Sequence, residues 1–253
     1  MIITLSPAKM MDFANPATIK KNSCPEFEKD AEYLNDLLKD WSVDDIRSAM
    51  SINPKMAHEV YQYIHSFDMS RTPRKQAALA YNGIAYLGLE AETFSKADWD
   101  FAQNHLISLS GMYGALRPMD LIKPYRLEAQ IKVQNDRGVD LYAYWKDTIT
   151  TYLSERLRED DNVWVNLASN EYSKMVDKKA LPKDVTIITP VFKEQRGNGY
   201  KTIVVYAKKA RGVMSRFIIQ NKLKKVDDLK SFDVDGYSFS PDLSKKNEWV
   251  FVR

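Results

Sequence analysis

Between Pro25 and Trp41 the apolar residues Phe27, Ala31, Leu34, Leu38 and Trp41 recur at steps of three and four. That is the period of a helix with one buried stripe. Pro25 stands at a first-turn position, where a missing N–H costs nothing. Asn53-Pro54 opens a second helix with Met56, Val60, Ile64 and Phe67 on its stripe, and Thr72-Pro73 reads as the start of a third. Ser95, followed three residues later by Asp98, makes a capping box for a helix over Lys96 to His105. A longer helical pattern starts near Asp140 and runs through Leu141, Trp145, Ile149 and Leu153.

Strand patterns alternate with these helices. Ile2 to Leu5 is a short apolar run, and "NVWVNL" at 162–167 is another. "VTIITPVFKE" and "YKTIVVYA" flank "QRGNG", whose glycines supply the positive φ values of a tight hairpin. Lys208 to Leu223 reads as helix, and "GYSFS" and "EWVFVR" read as short closing strands. No Gly/Ser linker, repeat or low-complexity segment divides the chain. The expectation is an α/β fold, with mixed α+β as the alternative, in one domain over 1–253 or in two tightly packed lobes.

Composition agrees with a folded chain: 44% of the 253 residues are hydrophobic and 11% aromatic. Lys and Arg number 37 against 34 acids, an excess of 37 − 34 = 3, too small to argue for nucleic acid unless the charge is clustered. Cys24 is alone, which rules out an internal disulfide and fits a reducing compartment. The N-terminus lacks the basic and apolar regions of a secretory signal, and no run reaches the length of a membrane span. A cytoplasmic protein is expected.

Chemistry is sought where strands end, because ligands of open α/β sheets gather there. Ser6, Pro7, Ala8 and Lys9 follow the first strand, and Asn166, Ser169, Asn170 and Glu171 lie at the end of the second. Capping accounts for Ser6 and Ser169 equally well. The third place is 110–128, "SGMYGALRPMDLIKPYRLE". If the preceding helix continues to Leu109, then Gly111 to Gly114 turn between two helices. If Leu106 to Ser110 is a strand, they begin a strand-turn-helix. In either case glycines allow close backbone approach, free amides open the next helix, and Arg117 in its first turn could fork onto an anion. Plain turning, with Arg126 and Glu128 as a surface ion pair, explains the same residues.

The segment 208–225, "KKARGVMSRFIIQNKLKK", carries seven Lys or Arg and no acid. On a helix Ala210, Val213, Met214, Phe217 and Ile218 share one face. Lys208, Arg211 and Lys222 share another, flanked by Lys209 and Arg216. Charge of one sign favours a polyanion over a merely solvated surface. Lys193, Arg196 and Lys201 around the hairpin extend the field.

"LSPAKMMD", "LSGMYGALRPMDLIKPYRLE", "NLASNEY", "YAKKARGVMSRFII" and the closing "GYSF" and "VFVR" together resemble the YaaA family of bacterial peroxide-stress proteins, in order and over essentially the whole chain. The resemblance implies a cytoplasmic protein linked to survival of hydrogen peroxide and to lowering free iron. It also implies DNA binding through an unusual α/β fold with a basic cleft and a helix-hairpin-helix element, here near 96–123. Two residues, Met112 and Tyr113, separate the glycines where that motif has one, and Pro118 limits where its second helix can begin.

The leading expectation is sequence-independent binding of double-stranded DNA through its phosphates. Its contacts would be Lys9, the amides near Gly111 and Gly114, Arg117, Arg126, Lys208, Lys209, Arg211 and Arg216. The alternative is an enzyme acting on a nucleotide or other small anion in a cleft lined by Lys9, Arg117, Asn166 and Lys208, with Lys9 or Glu171 as acid or base. No cofactor is expected. Nor is a metal site, since His58 and His65 lie seven apart and His105 and Cys24 are isolated.

Overall fold

The structure is a computed structural model in which residues 1–67 and 71–253 are described. The first strand, β1 (Ile2–Leu5), is buried along its whole length, as a central parallel strand covered on both faces must be. A long irregular segment then leads to α1 (Glu28–Leu38), α2 (Val43–Met50) and α3 (Pro54–His65). Local caps set two of these starts: Ser42 and Asp45 form a reciprocal capping box on α2, and the Asn53 side chain accepts the Met56 N–H on α3.

No helix starts at Thr72-Pro73. The chain first makes β2 (Lys75–Gln76), then α4 (Ala77–Ala80) and α5 (Ile84–Leu89). The capping box at Ser95 opens α6 (Lys96–His105), which runs directly into β3 (Leu106–Ser110), β4 (Gly114–Leu116) and β5 (Leu121–Ile122). Next come α7 (Leu141–Arg158), β6 (Val163–Leu167), the short α8 (Asn170–Ser173), β7 (Thr186–Arg196) and β8 (Gly199–Lys201). The chain closes with α9 (Val204–Asn221), β9 (Ser238–Lys245) and β10 (Glu248–Val252).

Among the described residues eight strands form one sheet in the order β4-β3-β1-β6-β7-β10-β9, with β8 paired to the tip of β7. The pairs β3–β1, β1–β6, β6–β7 and β7–β10 are parallel, and β4, β8 and β9 add antiparallel edges. β2 and β5 make a separate two-stranded ladder. This is the expected mixed α/β architecture. Strand order reverses at β1: the chain moves to β3 on one side, then returns to β6 on the other, where Leu5 pairs with Leu167. The carboxyl ends of β1 and β6 therefore diverge over a topological switch point, the usual place for a ligand crevice.

Two sequence expectations give way to packing. "TIVVYA" at 202–207 reads as strand by composition, but from Val204 onward it forms the first turn of α9, where Ala207 and Ala210 are buried. The helix-hairpin-helix expected near 96–123 is instead helix, strand, turn and strand. Leu106 to Ser110 is buried throughout and extends along β1, so it cannot stay in the amphipathic helix α6.

Candidate functional site

The turn at 111–113 is buried, and two of its amides are already taken. Ser110 Oγ accepts hydrogen bonds from the N–H groups of Met112 (3.2 Å) and Tyr113 (3.0 Å). The glycines serve packing. Gly114 has φ +66°, and a Cβ there would lie 2.6 Å from the Trp145 ring; a Cβ on Gly111 would overlap the Leu127 carbonyl. Trp145 Nε1 donates to Gly111 O at 2.8 Å and closes the turn. The backbone-amide anion site expected here is thus occupied by the protein itself.

A cavity of about 290 Å³ lies instead at the switch point. Its walls come from three places: Leu5 to Met10 after β1, Leu167, Ser169, Glu171 and Tyr172 after β6, and Asn82 to Tyr86 at the start of α5. Lys208 and Arg211 of α9 complete it. The two strand ends are tied directly, since Ser6 Oγ accepts the Ser169 N–H at 2.8 Å and donates to Ser169 Oγ at 3.2 Å. Ser169 stands at the N-cap position just before α8, but its side chain makes no cap there.

The cations over this cavity are placed by a close helix crossing. A Cβ on Gly212 would overlap the Ala85 carbonyl, and one on Gly88 would lie 2.6 Å from Lys209 O, so α5 and α9 touch backbone to backbone. Lys208 and Arg211, one turn apart, are thereby held beside Ala85. Neither has a carboxylate partner among the described residues. Burial holds the Arg211 guanidinium below its ordinary pKa, the mark of a cation short of both water and counter-charge.

One carboxylate, Glu171, lines the cavity, and a second, Glu128, stands close by. Glu171 is half-buried, and its Oε1 has no hydrogen-bond donor. Burial pushes its carboxyl above the ordinary value and the neighbouring Glu128 adds to the rise; the Gln130 amide, Lys9 and Lys208 pull the other way. Glu128 is almost wholly buried, with Oε1 2.9 Å from Lys9 Nζ and 3.1 Å from Arg126 Nη2. Both are ion pairs by distance alone, since neither Glu128 oxygen receives a donor in hydrogen-bond geometry. Lys9, 56% exposed at its side chain, reaches from this pair into the cavity.

Other expected site residues are held elsewhere. Arg126 lies behind Lys9, against Glu128 and the Met56 sulfur at 3.1 Å. The Arg117 side chain meets Asp120 at 3.3 Å and the Cys24 carbonyl, and Arg117 follows a strand and opens no helix. Lys209 pairs with Asp235 at 3.0 Å. Arg216 donates to the carbonyls of Leu89 (3.2 Å) and Glu90 (3.0 Å) and to Thr93 Oγ1 (2.6 Å), closing the end of α5. Asn166, expected in the cleft, is buried among Thr4 and the Ala168 N–H.

Sequence reasoning overlooked Asn82 to Tyr86. The signal available was a glycine inside each of two helical patterns, Gly88 and Gly212, which marks a close approach. Among the described residues no three of His, Cys, Asp and Glu gather as a metal would need, and no helix is long and apolar enough to cross a membrane. The whole arrangement, from Lys9 to Arg211, lies inside the span matched by a known family. The model described as peroxide stress protein YaaA matches residues 1–243, and the chain therefore belongs to that family of peroxide stress proteins.

Proposed function

We propose that the protein binds duplex DNA in the cytoplasm, through phosphates and without reading base sequence. The observation that carries this reading is the pair Lys208 and Arg211, one turn apart on one face of α9, the first exposed and the second partly desolvated, with no carboxylate within ion-pair distance among the described residues. Phosphate oxygens supply what these groups lack, and each phosphate neutralised releases counterions from the duplex. Lys9 extends the path. Fe²⁺ is among the cations that gather at phosphates, so displacing it would help to limit damage from free iron during peroxide stress.

The test is affinity against salt. The logarithm of the binding constant should fall linearly with the logarithm of salt concentration, and replacing both Lys208 and Arg211 by Ala should flatten the slope by roughly two units. A slope near zero in the unaltered protein would sink the reading. Plasmid nicking by Fe²⁺ and peroxide should be slower with the unaltered protein than with the double variant.

A second reading, an enzyme acting on a small anion, is favoured by Glu171. A carboxyl whose proton is held to higher pH lines the same small cavity as two cations, which suits general acid work on a bound anion.

A further inference from the structure

The cavity has two different surfaces. Leu5, Leu167, Ile84 and Ala85 make it mostly apolar, and the Tyr86 and Tyr172 rings border it. Tyr86 is fixed by a 2.7 Å hydrogen bond between its hydroxyl and Ser108 Oγ, so its ring is a rigid wall. Its cations without a carboxylate in ion-pair distance, Lys208 and Arg211, both come from α9, whereas Lys9 is paired with Glu128. A bare phosphate would use those two cations and leave the apolar walls wet. A purely apolar ligand would leave Arg211 without a counter-charge and Glu171 Oε1 without a donor.

Size narrows the choice further. About 290 Å³ is at the lower end of small-ligand pockets, which begin near 300 Å³. A duplex, whose major groove alone is about 12 Å wide, cannot enter it. The ligand that satisfies every wall has a flat, largely apolar body, an edge bearing both donors and acceptors, and a phosphate at one end. We propose that the cavity binds a single 5′-mononucleotide, with its base between the apolar walls, its edge toward Glu171 and Asn82, and its phosphate on Lys208 and Arg211. Glu171, in its protonated form, presents one donor and one acceptor to that edge, and the Asn82 amide presents the same pair. The nucleotide comes either free from solution or extruded from a strand, where the cost is a few kcal/mol of unpairing. The proposal rests on the second reading above, whose ligand it names, and does not require duplex binding.

The experiment uses the full chain. The four 2′-deoxynucleoside 5′-monophosphates are titrated by calorimetry against the matching nucleosides and inorganic phosphate. At least one monophosphate should bind at least tenfold more tightly than both its nucleoside and inorganic phosphate. Arg211→Ala should erase the advantage over the nucleoside. Ile84→Trp, at a position already at the surface, should weaken monophosphate and nucleoside alike about tenfold, with the thermal midpoint checked to confirm folding. If phosphate binds as tightly as any monophosphate, the nucleotide inference falls and a small-anion site survives. If neither binds, both fall.

A second arm decides the source, using a duplex with 2-aminopurine opposite a mismatch. A severalfold fluorescence rise on binding, abolished by Ile84→Trp, assigns the nucleotide to the strand. No rise, together with monophosphate binding, assigns it to solution.

Discussion

Residues 110–128 and helix α9 both interleave glycines with cations, yet the structure uses them in opposite ways. In the first, Arg117 lies against Asp120 and Arg126 against Glu128, so each arginine is answered within a few residues of itself. In the second, no carboxylate lies within ion-pair distance of Lys208 or Arg211 among the described residues, and Glu171 acts on Lys208 only from farther off, while Lys209 and Arg216 are taken by Asp235 and by the end of α5. Glycine has the same meaning in both: it admits protein, Trp145 against Gly114 and the Ala85 carbonyl against Gly212. A motif of glycines and arginines therefore predicts a ligand site only when acids fail to reach its cations.

The largest effect should come from breaking the crossing that places those cations. Gly212→Val would drive two methyls into the α5 backbone, and the overpacking should cost about 3 kcal/mol or more in a denaturant titration. Duplex affinity should fall with it even though no charge is changed. Unaltered stability would mean that the two helices have room to separate, and the placement of Arg211 would lose its cause.

Next in size is the test of the other stretch. Arg117→Ala leaves the buried Asp120 without its guanidinium, with Ser23 Oγ at 2.6 Å and the Arg117 N–H at 2.7 Å as its remaining partners. Stability should drop by about 2 kcal/mol, as for removing one partner of a largely buried pair. The salt dependence of DNA binding should stay as it was. A flattened slope would return Arg117 to the binding surface and erase the difference between the two regions.

Much of this difference was out of reach of the sequence for a physical reason. Helices α3 and α6 are legible because Asn53 and the Ser95–Asp98 box act locally, and β1 and β6 because fully buried strands are apolar throughout. The change from α6 to β3 has no marker between His105 and Leu106; pairing with β1 decides it. Of the site, Lys9, Glu171, Lys208 and Arg211 follow from strand ends and charge clustering. Asn82 to Tyr86 do not, because their place depends on α9 crossing α5 from more than a hundred residues away. The Arg117–Asp120 pairing is not among the sequence expectations, which assign Arg117 to an anion.

A smaller and pH-dependent effect belongs to Glu171. Burial lifts its carboxyl above the ordinary 4.5, so the folded protein keeps the proton at pH values where the unfolded chain has released it. Stability tied to that proton is complete below the ordinary value and is lost as pH rises through the folded one. Glu171→Gln, neutral at every pH, should melt above the unaltered protein at pH 8, with the gap closing toward pH 4. Anion affinity of the unaltered protein should rise as pH falls, and the variant should not follow.

The smallest effect sharpens the comparison inside α9 itself. Lys209 neighbours Lys208 in sequence but points to Asp235, and the pair is half exposed, so Lys209→Ala should cost less than about 1 kcal/mol. On a simple count of positive charges, removing Lys209 or Lys208 should weaken DNA binding equally. If pairing sets the field, Lys209→Ala removes a cation already neutralised and frees an acid, whereas Lys208→Ala removes one with no carboxylate in ion-pair distance among the described residues. The salt slope should therefore change by about one unit for Lys208→Ala and by clearly less for Lys209→Ala. Equal changes would show that α9 acts as a diffuse positive surface, and that the contrast with 110–128 is one of charge density and not of pairing.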